Sequence, residues 1–319
     1  LIAPTISEIE AASRLVYEAL EPTPTIHWPL LDEIMGRKVW LKHENHLPTG
    51  AFKVRGGLVY LNRLMAVSPP SGVCAATRGN HGLSIAYASE RFDLPCVIFV
   101  PEGNSLDKNR AMRALGAEVR EIGKDFDESV SYAEAYAKAS GLHQIPSFHP
   151  DLVLGVASYA LEFFTAATEL DRVYVPVGLG SGICGILAAK HALGLKVDVI
   201  GVVSEAFPTY LNSMQDGQIV MTAPGFTIAD GLAVRRANAD ALGYIQAGVS
   251  RIVSVSDDEI LKAMGCLFDC THNVAEGAGV AALAAAFKDR SSCEPDDQIG
   301  VVISGGNVSA ETLVQAIGS

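Results

Sequence analysis

Apolar positions along this chain follow two alternating rhythms. Short runs, apolar but for Asp198 and Ser304, occupy residues 72–76, 96–100, 173–177, 197–203 and 300–304, each too short for a helix and bounded by turn residues. Between them lie Ala-rich stretches with helical spacing, over residues 82–89, 108–115, 183–193 and 310–316. An earlier helix is predicted over residues 6–20, where Ile9, Leu15, Val16 and Leu20 share a face and Thr23-Pro24-Thr25 ends the pattern. Strands that are apolar nearly throughout and separated by helices predict an α/β fold of parallel sheets covered on both faces. The length suggests two such sheets, although no Pro/Ser-rich linker marks a boundary. A crevice between them, near the C-terminal ends of strands, is where a small ligand is expected.

Composition narrows the partners. The 319 residues are 49% apolar, enough for one large or two ordinary domains. With 24 basic against 36 acidic residues the net charge is −12, and no Lys/Arg cluster forms a nucleic-acid footprint. The longest uncharged stretch, 173–189, is interrupted by Pro176 and four glycines, so no membrane-spanning helix is expected. No charged start followed by an apolar core and a small-residue cleavage site precedes the first helical pattern, so secretion is not expected. Six cysteines, at 74, 96, 184, 266, 270 and 293, include no CxxC pair and no zinc-site spacing, which points to a reducing cytoplasm. Cys266 and Cys270, four apart on one helix face, read as small core residues.

Chemistry concentrates in four stretches. The first contains Phe52-Lys53-Val54-Arg55-Gly56-Gly57. A lysine there suits a Schiff-base nucleophile if burial or a neighbouring cation lowers its pKa, and Arg55 is the expected neighbour. A surface lysine opening a helix is the alternative. The second, Thr77-Arg78-Gly79-Asn80-His81, turns a strand into a helix whose free N–H groups form a carboxylate site. An ordinary turn would look similar, but Asn80 and His81 add outward hydrogen-bonding groups. In the third, Gly178, Gly180 and Gly182 alternate with Leu179 and Ser181 between a strand and a helix. Bare backbone and a hydroxyl suit a phosphate. A GxGxxG dinucleotide loop competes but fits poorly, since no acidic residue ends a following strand at the expected distance. The fourth stretch ends the last strand with Ser304-Gly305-Gly306-Asn307.

In this order the four stretches closely resemble the fold-type II pyridoxal-phosphate enzymes, and within them the threonine and serine dehydratase branch. Residues 42–45 and 227–234 agree as well, and the resemblance covers nearly the whole chain. It implies a tryptophan synthase β-like architecture of two parallel-sheet domains with helices on both faces and pyridoxal 5'-phosphate in the cleft between them. Residues 1–47 and 151–319 would form the large cofactor-binding domain, and 48–150 the small domain. Lys53 would bond the cofactor and act as the catalytic base, with Phe52 beside the ring. Asn80 would meet the phenolic oxygen, and Ser304 the pyridine nitrogen. Gly178, Leu179, Gly180, Ser181 and Gly182 would form the phosphate cup. Thr77, Arg78, Gly79, Asn80 and His81 would form the substrate-carboxylate loop. Glu276 matches an acidic position near the cofactor, with a helix-capping glutamate as the alternative.

The implied activity is elimination of water from a small β-hydroxy amino acid, giving a 2-oxo acid and ammonia. Threonine and serine are the default substrates, with 3-hydroxyaspartate and phenylserine as alternatives. β-Replacement relatives carry an acidic residue and a threonine where this chain has Arg55 and His81, which favours the dehydratase. A noncatalytic phosphate-binding module would leave Lys53 unexplained. Ala51 stands where many members have serine, while Leu179 and Ser181 interrupt a glycine run. Val203 and Thr209 stand where metal-activated relatives place carboxylates, so no divalent metal is expected. Arg78 replaces the serine that serves racemases as second acid-base group, so one-base elimination without racemisation is expected. Its side chain either turns away into a structural ion pair or binds the substrate's α-carboxylate or a distal acid. A homo-oligomer, a dimer, is expected, without an appended regulatory domain.

Overall fold

The computed structural model describes residues 3–294 and 296–318. Among them ten strands form two sheets. In chain order the strands are β1 (Thr25–His27), β2 (Val39–His43), β3 (Val73–Ala76), β4 (Cys96–Val100), β5 (Glu118–Glu121), β6 (His143–Gln144), β7 (Arg172–Pro176), β8 (Asp198–Ser204), β9 (Arg251–Val255) and β10 (Ile299–Ile303). The larger sheet runs β1-β2-β10-β7-β8-β9 and the smaller β5-β4-β3-β6. Every pairing is parallel except β1 with β2. That exception lies at a sheet edge, where a short antiparallel strand is common.

Every residue of β3, β4 and β10 is buried, as expected for strands covered on both faces. The chain leaves the larger sheet after β2 through helix Lys53–Val67, builds the smaller sheet, and returns through helix Pro150–Ala166 to β7. Those two helices and Ser181–Ala192 share one core, in which Val54, Leu58, Val153, Val156, Ile183 and Ile186 are buried. Helix Gly277–Lys288 closes the opposite face of the larger sheet with Val280 and Leu283. Cys74, Val97 and Phe99 meet Ala133 and Ala137 of helix Phe126–Ser140 across the smaller sheet.

Helix ends differ from the periodicity where local capping overrides it. The first helix ends at Tyr17 rather than Leu20, and starts under a capping box between Thr5 and Glu8. The stretch expected from residue 108 begins at Leu106, because the Ser105 side chain accepts from the Lys108 N–H. Cys266 and Cys270 lie in helix Asp257–Thr271 with their sulfurs 3.8 Å apart, half-buried against the core. Among the described residues no helix is long and apolar enough to cross a membrane.

Candidate active site

The stretch carrying Lys53 is tied to the end of β10. Phe52 N–H donates to Ser304 O at 3.2 Å, Gly306 N–H donates to Gly50 O at 2.8 Å, and Ala51 pairs with Gly305. The first and last stretches singled out in the sequence thus form one short antiparallel contact. Lys53 opens its helix, and Ser84 Oγ fixes that opening by donating to Lys53 O at 2.6 Å. The Lys53 amine lies 5.0 Å from the centre of the Phe52 ring. Its side chain keeps a cavity-facing surface, but protein atoms enclose the amine. Burial pushes its pKa down to about 8, against an opposing pull from Glu276.

Arg55 takes no part in that shift. Its guanidinium is fully buried and points into an ionic cluster, with Nε 2.7 Å from Glu44 Oε2 and Nη1 2.6 Å from Glu162 Oε1. Lys42 joins the cluster through Glu162. The expectation that Arg55 is the cation depressing Lys53 is therefore corrected: desolvation does so. Residues two apart on a helix point to nearly opposite sides, so proximity in sequence misled.

A cavity of about 350 Å³ opens in front of Lys53 and is lined also by Thr77, Asn80, His81, Lys108 and Leu179. Thr77 Oγ1 accepts from Gly79 N at 2.9 Å and Gly82 N at 3.2 Å, bending the end of β3 into helix Asn80–Glu90. His81 is buried, and its Nε2 has no partner among the described residues. Burial, aided by the Lys53 charge, lowers its pKa to about 3, so the imidazole is neutral. A buried nitrogen without a partner marks a place for a ligand atom. Arg78 is exposed at the cavity wall and makes no ion pair among the described residues, which corrects the structural-pair alternative.

Asn80 is held from both ends. Its Oδ1 accepts from Asn307 Nδ2 at 2.9 Å, and its Nδ2 donates to Glu276 Oε1. Glu276 occupies the N-cap of helix Gly277–Lys288, yet its side chain makes no cap bond and turns to Asn80 instead. Lys108 reaches its other oxygen at 3.2 Å and Asp230 at 2.7 Å. Burial raises the Glu276 pKa while Lys108 resists the rise. For Lys108, burial works downward but Glu276 and Asp230 outweigh it, so the ammonium persists. Lys108 was not legible as a site residue, since a lysine on an apparently amphipathic helix carries no local signal. Asp230 lay inside the stretch 227–234, where only its chain neighbours marked it.

The Gly178–Gly182 loop joins β7 to helix Ser181–Ala192. Gly180 has φ +105°, and a Cβ there would lie 2.6 Å from Ala241 Cβ. A Cβ on Gly178 would lie 2.3 Å from Gly231 O. Tyr210 donates to Leu179 O at 3.0 Å, and Ser181 is buried at the first helical position. The bare loop thus presents helix N–H groups to an anion. Ser304 is buried at the end of β10, its Oγ 3.4 Å from Ala278 O.

Two largely parallel sheets meet around an enclosed lysine, a strand-to-helix turn and a glycine loop at a helix start, the arrangement of an α/β protein with a site suited to a small anionic ligand. The chain belongs to the family described as pyridoxal-phosphate dependent enzymes, which matches residues 16–305. It is 31% identical to an L-threonine ammonia-lyase of Thermotoga maritima, over 98% of this chain and 78% of that protein. It is 28% identical to an L-threo-3-hydroxyaspartate ammonia-lyase of Saccharomyces cerevisiae, over 99% of this chain and 97% of the other. A solved pyridoxal 5'-phosphate-dependent aspartate racemase superposes with a TM-score of 0.92 at 27% identity, covering 98% of each chain. The residues fit the cofactor: an amine of lowered pKa for its aldehyde, a side-chain-free cradle for its phosphate, and an unpartnered His81 nitrogen beside the open cavity.

Proposed function

We propose that this enzyme eliminates water from a small L-β-hydroxy amino acid of the threonine and serine type, releasing a 2-oxo acid and ammonia. The observation that carries the reading is the enclosed Lys53 amine, lowered to about 8, facing the same cavity as the Thr77–His81 loop. The threonine and hydroxyaspartate ammonia-lyases among the relatives support the same reaction. On this reading residues 1–47 and 151–319 form the large domain and 48–150 the small one.

When bound, the cofactor supplies an electron sink for the pair left at the substrate's α-carbon. Lys53 would hold it, with Phe52 beside the ring, Asn80 and Ser304 at its polar edges, and Gly178, Leu179, Gly180, Ser181 and Gly182 around its phosphate. The N–H groups at the start of helix Asn80–Glu90 and the neutral His81 orient the substrate's α-carboxylate. Lys53 Nζ then takes the α-proton as general base, for which a pKa near working pH is suited. The C–O bond at the β-carbon breaks, the departing hydroxide takes up one proton to leave as water, which balances the α-proton collected by Lys53, and the released enamine hydrolyses to the 2-oxo acid and ammonia. Glu276, bonded to Lys108, holds the Asn80 amide in place.

We further propose, from the cysteine usage and the family resemblance, a cytoplasmic homodimer. A panel of β-hydroxy amino acids, scored for ammonia and 2-oxo acid, tests the reaction. Equal yields of the two products support it, and cofactor binding without ammonia from any member of the panel overturns it.

A further inference from the structure

Two guanidiniums that line the cavity, those of Arg78 and Arg236, have no carboxylate partner among the described residues. Arg78, Arg235 and Arg236 line it together with Lys53 and Lys108, against the carboxylates of Asp125, Asp127 and Asp230. Those carboxylates are already engaged. Asp230 pairs with Lys108, while Asp127 and Asp125 share Arg235 Nη1 at 3.2 and 3.8 Å. Arg78 and Arg236 have no carboxylate within ion-pair distance among the described residues. The Nε–H of Arg235 is shielded from water and finds no acceptor there either. A guanidinium keeps its proton at any ordinary pH, so this unpaired charge is suited to an anionic ligand.

Neither anion of the proposed reaction meets it. The cofactor phosphate is placed at the start of helix Ser181–Ala192, and the substrate's α-carboxylate at the start of helix Asn80–Glu90. The arginines also come from both sides of the cleft, Arg78 after β3 of the smaller sheet and Arg235 and Arg236 from the segment after β8 of the larger. A ligand group between them would be held by both halves at once.

We infer that the preferred substrate carries a second carboxylate beyond its β-carbon, making it a β-hydroxy dicarboxylic amino acid, and that Arg78 and Arg236 are its specificity-determining residues. The inference rests on the elimination reading above. Charge-assisted hydrogen bonds are worth about 1.5–3 kcal/mol, a factor of roughly ten to a hundred in kcat/KM.

Two measurements test it. Ammonia release gives kcat/KM for L-threo-3-hydroxyaspartate and for L-serine, in the wild type, Arg78→Met and Arg78→Lys. The wild type should prefer hydroxyaspartate by about tenfold or more, Arg78→Met should lower that ratio roughly ten- to a hundredfold, and Arg78→Lys should restore part of it. Separately, succinate should bind the wild-type holoenzyme about tenfold more tightly than propionate, read by the cofactor's absorbance and therefore independent of turnover. Serine matching or exceeding hydroxyaspartate, with succinate no tighter than propionate, overturns the inference and leaves elimination standing. Preferential succinate binding without ammonia from any β-hydroxy amino acid supports the acidic subsite while overturning elimination.

Discussion

Gly180→Ala probes the phosphate loop at its most constrained point. At φ +105° an L-residue costs about 1–2 kcal/mol in backbone strain. The new methyl would lie 2.6 Å from Ala241 Cβ, a buried methyl that cannot rotate away, and such overpacking adds about 1–3 kcal/mol. The sum, about 2–5 kcal/mol, divides between fold stability and the loop conformation that meets the phosphate. If it fell wholly on binding, cofactor affinity would drop by a factor of about thirty to several thousand. Gly182→Ala is the control: its φ is not in the left-handed region, and its methyl would lie 3.3 Å from the edge of the Phe52 ring, which can shift by the few tenths of an ångström required. Cofactor Kd by fluorescence titration, together with the melting temperature of apoprotein and holoprotein, separates the two contributions. Gly180→Ala should lose affinity, melting temperature or both, while Gly182→Ala stays near wild type in each. A Gly180→Ala protein with wild-type affinity and an unchanged melting temperature would refute the argument. Gly180→Asp should bind more weakly still, because a carboxylate would face the phosphate.

Lys53→Ala should abolish turnover and the cofactor's absorption above the aromatic band; borohydride trapping of cofactor on another lysine would reassign the base. In the apoprotein, Lys53 at about 8 is neutral in about 9% of molecules at pH 7, against roughly 0.03% for an ordinary lysine. Cofactor capture, which needs the neutral amine, should therefore quicken with rising pH and level off above pH 8, and stopped-flow rates still climbing beyond pH 10 would contradict the lowered pKa. Activity should survive a chelator, because Val203 is aliphatic and Thr209 is committed to Thr222 and Val234 O; loss restored by magnesium or calcium would show otherwise. Serine turnover should proceed without racemisation, since Arg78 cannot exchange a proton on the face opposite Lys53, and chiral chromatography showing D-serine at a rate near that of pyruvate would disprove one-base chemistry.

Much of this was legible in local patterns. Runs such as 96–100 and 300–303 are apolar at every position because both faces of their strands are covered, so the parallel sheets could be read before their order was known. The glycines of 178–182 and the turn at 77–81 announced helix starts, and the structure places one at each. These are short-range properties, set by what a backbone can do within a few residues.

The remainder depended on partners far away in the chain. Arg55 looked like a neighbour of Lys53, but the helix turns it to the opposite side, toward Glu44 and Glu162. Lys108 joins Asp230 and Glu276 across separations of 122 and 168 residues, and no spacing rule reaches that far. Glu276 was equally readable as a cap or a site residue until Lys108 and Asn80 were seen to draw its side chain toward them. Backbone conformation is chosen by nearest neighbours and so is written locally, whereas a buried charge takes whichever partner the folded chain brings within reach, and only the tertiary structure decides which one that is.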